Sequence, residues 1–490
     1  MKQYFLLFVI LFGSFSMSAQ KTREITLNEA IVLARTQSVD AAVALNELKT
    51  AYWEYRTFRA DLLPEVNFTG TLPSYGKQYN SYQNEDGSYT FVRSNKLGLN
   101  GALSIDQNIW FTGGKISLSS SIDFVKQLGA NGMRQFMSVP IGLQLTQPIF
   151  GVNNLKWNRR IQPVRYEEAK AGFIIATETV TMNTITYFFN LLLAKEVLAT
   201  AQQNQLNADH LYEVAGAKRE MGQISENELL QLKLTALKAR AAVTDAESNL
   251  NANMFRLRSF LGLTDDQVLE PTLPGLAPDM KMEYNQVLNK ALQRNSFAYN
   301  VRRRQLEADY EVATARGNLR NVDLFANVGY TGLNKDFSTS YKNLLDNQVV
   351  EVGVKIPILD WGKRRGKVRV AKSNREVTLS KIRKEQMDFD QDIFLLVEHF
   401  NNQAQQLSIA VEADKIAQKR YKTSIETFLI GKINTLDLND AQNSKDDARQ
   451  KHINELYWYW YYFYQLRSLT LWDFQNNAPL EADFDEVVRS

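Results

Sequence analysis

Residue types able to do acid–base, nucleophilic or metal chemistry are sparse in this chain. Its 490 residues include no cysteine and three histidines, His210, His399 and His452. Without cysteine there is no thiol nucleophile, thiolate metal site, disulfide framework or lipid-modified Cys at a mature N-terminus. The histidines lie far apart on stretches that read as helix, so they read as helix-surface or seam residues, and no acid, base and nucleophile converge by spacing. No Gly-rich loop precedes a helix in the strand context that a phosphate cradle needs. No enzyme activity, metal or cofactor is therefore expected. Lys+Arg 57 against Asp+Glu 54 leaves a net charge of +3, too near balance for a chain that grips nucleic acid over its whole surface. Two local concentrations remain. WGKRRGKVRVAKSNR, from Trp361, could be a nucleic-acid patch, but an aromatic with cations directly after a strand suits a membrane interface better. YWYWYYFY, from Tyr457, ends a helical stretch and reads as internal packing.

Hydrophobic residues at 44% and charged residues at 23% describe an ordered chain. Residues 1–19 read as a secretory signal peptide: an early Lys2, an apolar run from Phe5 to Phe15, and small residues up to Ala19, with Ser18 as the alternative cut. That run is short of the roughly 20 residues a spanning helix needs, and no later run reaches that length. A membrane, if entered, must be entered by strands.

The mature chain reads as two unequal copies. One constant offset pairs Pro148 with Pro357, Tyr212 with Tyr421, Gly222 with Gly431, Ile224 with Ile433 and Arg258 with Arg467. A larger offset pairs ARTQS at 34 with LQRNS at 292, so the first copy holds an insertion between residues 64 and 148. The first repeat is placed at 20–270, with strands over about 64–149, an extra hairpin over about 97–124 and a coiled-coil hairpin over 159–261. A Pro-rich equatorial linker, 271–282, leads to the second repeat at 283–472, with strands over about 322–358 and a hairpin over 364–470, and then a tail, 473–490.

Residues Thr26–Leu62 and Glu283–Leu319, rich in Ala, Leu, Glu, Gln and Arg without internal Pro, each predict one helix. A helix from about Val164 to Met221 carries apolar or small residues at alternating three- and four-residue steps, through Val180, Leu191, Ala201 and Ala208 to Ala215. The second copy repeats the pattern from Phe389 through Phe400 and Leu407 to Tyr421, and the returning helix continues it from Leu229 to Phe260. Such a seam is coiled-coil packing, and turns at Gly222 and Gly431 would make two antiparallel hairpins. Six segments alternate with period two. Val66, Phe68 and Leu72, Leu97 to Ile105, Ile116 to Phe124, Val139 to Leu145, Leu324 to Tyr330 and Val350 to Ile358 share one face. Opposite lie Asn100, Ser104, Asp106, Ser117, Ser119, Asp123, Gln144, Thr146, Asp323, Asn327, Glu351 and Lys355. Apolar outside and polar inside, at about ten residues per strand, predicts a membrane barrel wall. Six strands are too few to close an open barrel, so several chains would contribute. The Gly-Gly turn in WFTGGK would close the inserted hairpin on the periplasmic side. The rival places that hairpin over the outer mouth as a flap, leaving about 12 strands in the wall instead of about 18.

The signal peptide, ITLNEAIVLARTQS, the QPIF turn into a long helix and the duplicated Gly-x5-acid hairpin turn together resemble the TolC-like outer-membrane efflux and secretion channel family. The resemblance implies a mainly α fold with β: a transmembrane β-barrel continuous with an α-helical periplasmic tunnel, built by a homotrimer. It also implies docking on a periplasmic adaptor protein and an inner-membrane pump of RND or ABC type, contact with outer-membrane lipid, and no nucleic acid. GKINTLDLNDAQNS at 431 resembles the family's tunnel-tip motif, which implies that Asp437 and Asp440 ring the closed entrance. Glu228 and Gln231 stand at the matching sites of the first copy. Two strands per copy are usual in the family, and the insertion departs from that. A different function, a periplasmic coiled-coil adaptor or scaffold without a barrel, is opposed by the six amphipathic strands.

Overall fold

A computed structural model describes residues 22–129, 132–263, 267–275, 280–319, 321–342, 344–355, 359–430, 432–433 and 435–489. The signal peptide, Gly431 and the strand end at 356–358 lie outside the described residues. In chain order the elements are β1 (Thr22–Ile25), α1 (Leu27–Gln37), α2 (Val39–Ala60), β2 (Glu65–Gln83), β3 (Tyr89–Ile109), β4 (Gly114–Gln127) and β5 (Arg134–Pro148). There follow α3 (Asn154–Glu220), α4 (Glu226–Phe260), β6 (Val268–Pro271), α5 (Tyr284–Arg294), α6 (Ser296–Gly317), β7 (Asn321–Asn334), β8 (Leu344–Lys355), α7 (Lys363–Leu429), α8 (Thr435–Thr470) and, in the tail, α9 (Phe484–Arg489).

The chain forms two compact units. One holds residues up to Asn46 with Phe173–Arg294 and Asp390–Asp483; the other holds Glu47–Gly172, Asn295–Phe389 and the last residues from Phe484. In the first unit the coiled-coil seam is buried as its spacing requires. Val180, Leu191, Ala194, Ala201, Ala208 and Ala215 of α3 are buried, as are Ile393, Phe400, Leu407, Ala417 and Tyr421 of α7. Both long helices have 67 residues, about 100 Å at the α-helical rise. Helix α3 begins at Asn154, ten residues before the Val164 that the sequence pattern suggested, whereas α7 begins at Lys363, where the second hairpin was expected to start. The YWYWYYFY run packs inward: Tyr459 and Phe463 are buried, and Tyr459 lies 5.1 Å from Phe400 between ring centroids. In the same unit Glu178 of α3, 3% exposed, receives Arg35 of α1 at 2.7 Å and lies 3.5 Å from Arg467 of α8, which is joined at 2.9 Å to Asp473 just after that helix.

Two helices expected to be continuous are broken. Ser38 is extended (φ −69°, ψ 150°) between α1 and α2, and its Oγ accepts from Ala41 N at 3.1 Å. Asn295 separates α5 from α6 (φ −66°, ψ 148°) and its Oδ1 accepts from Phe297 N at 2.8 Å. Side chains that cap a helix start offer the backbone an alternative to continuing the helix. The breaks fall at matching places in the two copies.

The second unit contains one six-stranded antiparallel sheet in the order β2-β3-β4-β5-β7-β8. The inserted hairpin is part of this sheet: β3 pairs with β2 on one side and β4 on the other, and Ile109 pairs with Gly114 across the tight turn. Strands run 12 to 21 residues, longer than the roughly ten a bilayer requires. Part of the excess is the β2–β3 hairpin, paired out to Gln83 and Tyr89, whereas the β3–β4 pairing stops at Lys96 and Gln127. The registers align the two expected faces. Ile105 pairs with Leu118, Leu118 with Leu143 and Leu143 with Val328, while Asp106 pairs with Ser117, Ser117 with Gln144 and Gln144 with Asn327. On the polar side Asp106 Oδ2 accepts from Asn67 and Ser104, its Oδ1 accepts from Ser117, and Asn100 donates to Asp123. Val139 departs from the expected face. A register shift between Val139 and Gly142 sets Val139 opposite polar-face Ser121, and Pro140, which cannot donate to a ladder, sits in that bulge. Leu72, with Pro73, lies in a similar shift between Thr71 and Ser74.

Candidate functional site: the hairpin tips

The first tip turns at Met221–Ser225. Gly222 has φ +70° and open space where a Cβ would stand, so the need for glycine is conformational and not steric. Its N–H donates to Arg219 O at 2.9 Å, and Gln223 N donates to Lys218 O at 2.8 Å, closing the end of α3. Helix α4 then begins with a capping box: Glu228 N donates to Ser225 Oγ at 3.2 Å and Ser225 N donates to Glu228 Oε2 at 2.8 Å. Glu228 is therefore held against its own helix start. The Ser225 backbone N–H and hydroxyl hold its carboxyl below the usual carboxylate range. Gln231, one turn on, is exposed, and its backbone carbonyl accepts from Thr235. The Ser225-x-x-Glu228 spacing is a sequence signal for this cap.

At the second tip, Asp437 stands in the first turn of α8 and Asp440 three residues on; both are exposed. Asp440 Oδ2 accepts from Arg420 Nη2 on α7, and Arg420 Nη1 also donates to Ser444 Oγ at 3.2 Å. Sequence patterns did not single out Arg420, because its partner is 20 residues away across the turn. Beneath the acids is a small apolar core of Tyr421, Leu438 and Ala441, with Leu211, Ile425, Phe428 and Ile433 packed against it. Tyr421 also accepts at its hydroxyl from Asn207 Nδ2 at 2.7 Å. Burial, then Asp446, pushes the Tyr421 phenol up.

The two tips meet along a groove of about 410 Å³, where Leu232 and Thr235 of α4 and Asn439 and Gln442 of α8 flank Asn204 and Asn207 of α3. Farther from the tips, buried Asp414 of α7 lies 2.9 Å from His452 Nδ1, accepts from Gln418 at 2.7 Å and Arg449 at 3.3 Å, and Arg449 continues to Glu196 at 2.8 Å. Burial pushes the Asp414 carboxyl up, but these hydrogen bonds outweigh it and hold it below the usual range. His210 is exposed, and His399 stacks on Tyr462. Among the described residues no group of His, Asp or Glu is arranged to hold a metal ion, and no helix is long and apolar enough to cross a membrane.

One unit carries paired long helical hairpins and the other a two-faced antiparallel sheet, and the family model described as outer membrane efflux protein matches residues 113–263 and 287–470. The chain belongs to that family, a family of outer membrane efflux proteins and not of enzymes, and its place is the outer membrane. It is 22% identical to Outer membrane protein TolC of Escherichia coli (strain K12) over 354 residues, 69% of this chain and 70% of TolC. In fold it is similar to the Campylobacter jejuni CmeC outer membrane channel, with TM-score 0.66 and 16% identity over 97% of this chain and 93% of CmeC. It is likewise similar to the outer membrane protein VceC of Vibrio cholerae, with TM-score 0.62 and 13% identity over 93% of this chain and 97% of VceC.

Proposed function

We propose that three copies of this chain close one barrel of about 18 strands above a helical tunnel, forming an exit duct that a periplasmic adaptor and an inner-membrane pump of RND or ABC type engage at the hairpin tips. The observation that carries this reading is the sheet's pair of open edges. Among the described residues strand β2, 19 residues long, is unpaired on one side, with Val66 64% and Phe68 74% exposed, and β8 is the other edge. An edge this long and apolar templates pairing with another chain. β2 leaves the helix end of the sheet and β8 returns to it, so β8 of one copy meets β2 of the next antiparallel, and closed cyclic assembly removes every edge.

The duct carries no chemistry of its own. In a trimer the acids Asp437 and Asp440 converge from three chains, so their mutual repulsion favours bound cations. A periplasmic adaptor without a barrel would have no use for a six-stranded sheet with one apolar face. Purified protein should migrate as a heat-sensitive trimer and conduct in planar bilayers; a stable monomer without conductance would overturn the proposal.

A further inference from the structure

At the helix end of the sheet, three connections expose large apolar side chains: the β3–β4 turn, the β5–α3 linker and the β8–α7 linker. Phe111 is 67% exposed, Phe150 56%, Leu359 68% and Trp361 89%. Trp361 is held out by a backbone that costs energy for a bulky residue, at φ 52°, next to Gly362 at φ 80°. Asp360 fastens this turn, accepting from Gly362 N at 3.0 Å and Arg364 N at 3.2 Å.

Cations follow directly. Lys363, Arg365, Lys367 and Arg369 are all exposed on the first two turns of α7, and none makes an ion pair among the described residues. Two turns farther on the pattern changes, and Arg375 is paired with Asp309 at 2.6 Å. The first turn of α7 holds no acid, and Asp360, just before it, is the carboxylate at this helix start and attracts Arg364 and Arg365; the run of cations outnumbers it, so an external anion would add to their stabilisation. Beside them is a groove of about 530 Å³ lined by Glu311, Thr314, Asn318, Arg364 and Lys367, among others, so one carboxylate stands beside its two cations. Within it Thr314 Oγ1 is buried without a partner among the described residues.

From this juxtaposition we infer that the β8–α7 junction binds the phosphate headgroups of anionic phospholipid, with Lys363, Arg365 and Lys367 around the phosphate and Trp361 and Leu359 at the headgroup–acyl boundary. The inference rests on the barrel reading, which sets this end of the sheet at the periplasm-facing leaflet. Aromatic rings with cations beside them match that boundary, and each cation near an anionic surface adds to the attraction. A soluble anionic polymer of the cell wall would use the cations but leave Trp361 and Leu359 in water.

The test uses the full protein in neutral detergent, titrated with dioleoylphosphatidylglycerol or dioleoylphosphatidylcholine and read by native mass spectrometry, with bilayer conductance measured in parallel. Phosphatidylglycerol should bind at least about tenfold tighter, and K363Q/R365Q/K367Q should abolish the preference while conductance stays at the wild-type level. W361A should weaken both lipids alike. Raised salt should erase the preference in the unaltered protein, a readout that needs no variant. Equal binding of the two lipids, or a preference intact in the triple variant, overturns the inference. Displacement by equimolar inorganic phosphate would assign a small-anion site, and binding of soluble cell-wall fragments without phosphatidylglycerol would assign a polymer site; either overturns it too. Wild-type protein without conductance would count against the barrel itself.

Discussion

Arg420 reaches across the second hairpin to Asp440, joining α7 to α8 beside the acidic tip. Both side chains are more than half exposed, so the pair is worth at most about 1 kcal/mol of stability. Its effect is electrostatic, because it neutralises one of the two acids proposed to face the axis. D437N/D440N should weaken block by divalent cations in planar bilayers. R420A should strengthen it by releasing Asp440, with the denaturation midpoint nearly unchanged. Equal block in all three proteins would remove these acids from the entrance.

Gly222 at φ +70° should tolerate no β-branched residue. G222V should cost about 1–2 kcal/mol, confined to the turn because open space surrounds the Cβ position. Hydrogen exchange at residues 218–226 should speed up while the global midpoint holds, and adaptor docking should weaken. Unchanged exchange together with unchanged docking would contradict this.

Glu178 joins α3 to α1 through Arg35 and to α8 through Arg467, which also reaches Asp473 at 2.9 Å. Because the carboxylate is 3% exposed, removing it leaves Arg35 with only the Thr181 hydroxyl, at 2.8 Å, and Arg467 with Asp473 as its one carboxylate partner. E178A should destabilise the protein by about 3–5 kcal/mol in chemical denaturation. A loss below about 1 kcal/mol would mean that water reaches both arginines.

Asp414 gives the fold an acid-sensitive joint. Its folded carboxyl titrates below the ordinary value, so its contribution is complete above about pH 4 and is lost as pH falls through the lower folded value. Denaturation midpoints should therefore drop as pH falls below about 4, and D414N should flatten that slope after lowering stability at pH 7. An identical acid slope in D414N would assign the acid sensitivity to other carboxylates.

Periodicity made much of this fold legible before any coordinates. The seam from Val180 to Ala215 repeats a burial pattern, and strand alternation follows which face each side chain takes, so both are local consequences of core formation. Ser38 and Asn295 broke helices that composition left whole, since one capping side chain outweighs weak propensities. Val139 changed faces because Pro140 forced a bulge, and a one-residue slip reverses every later side chain. At the tips, Asp437 and Asp440 stood out by resemblance, while Glu228 proved to be held by Ser225. Arg420 and the Arg35–Glu178–Arg467 cluster were invisible because their partners are distant in sequence.

The chain has no native cysteine, so single nitroxide labels can be placed without ambiguity along β4, from Ile116 to Ile122, in the protein reconstituted into lipid. If the inserted hairpin forms part of a membrane wall, collision with oxygen should peak at Ile116, Leu118, Ser120 and Ile122. Collision with a water-soluble nickel chelate should peak at Ser117, Ser119 and Ser121, with a period of two. Uniform water access at all seven positions, with no alternation, would contradict the six-stranded wall and the wide barrel built from it.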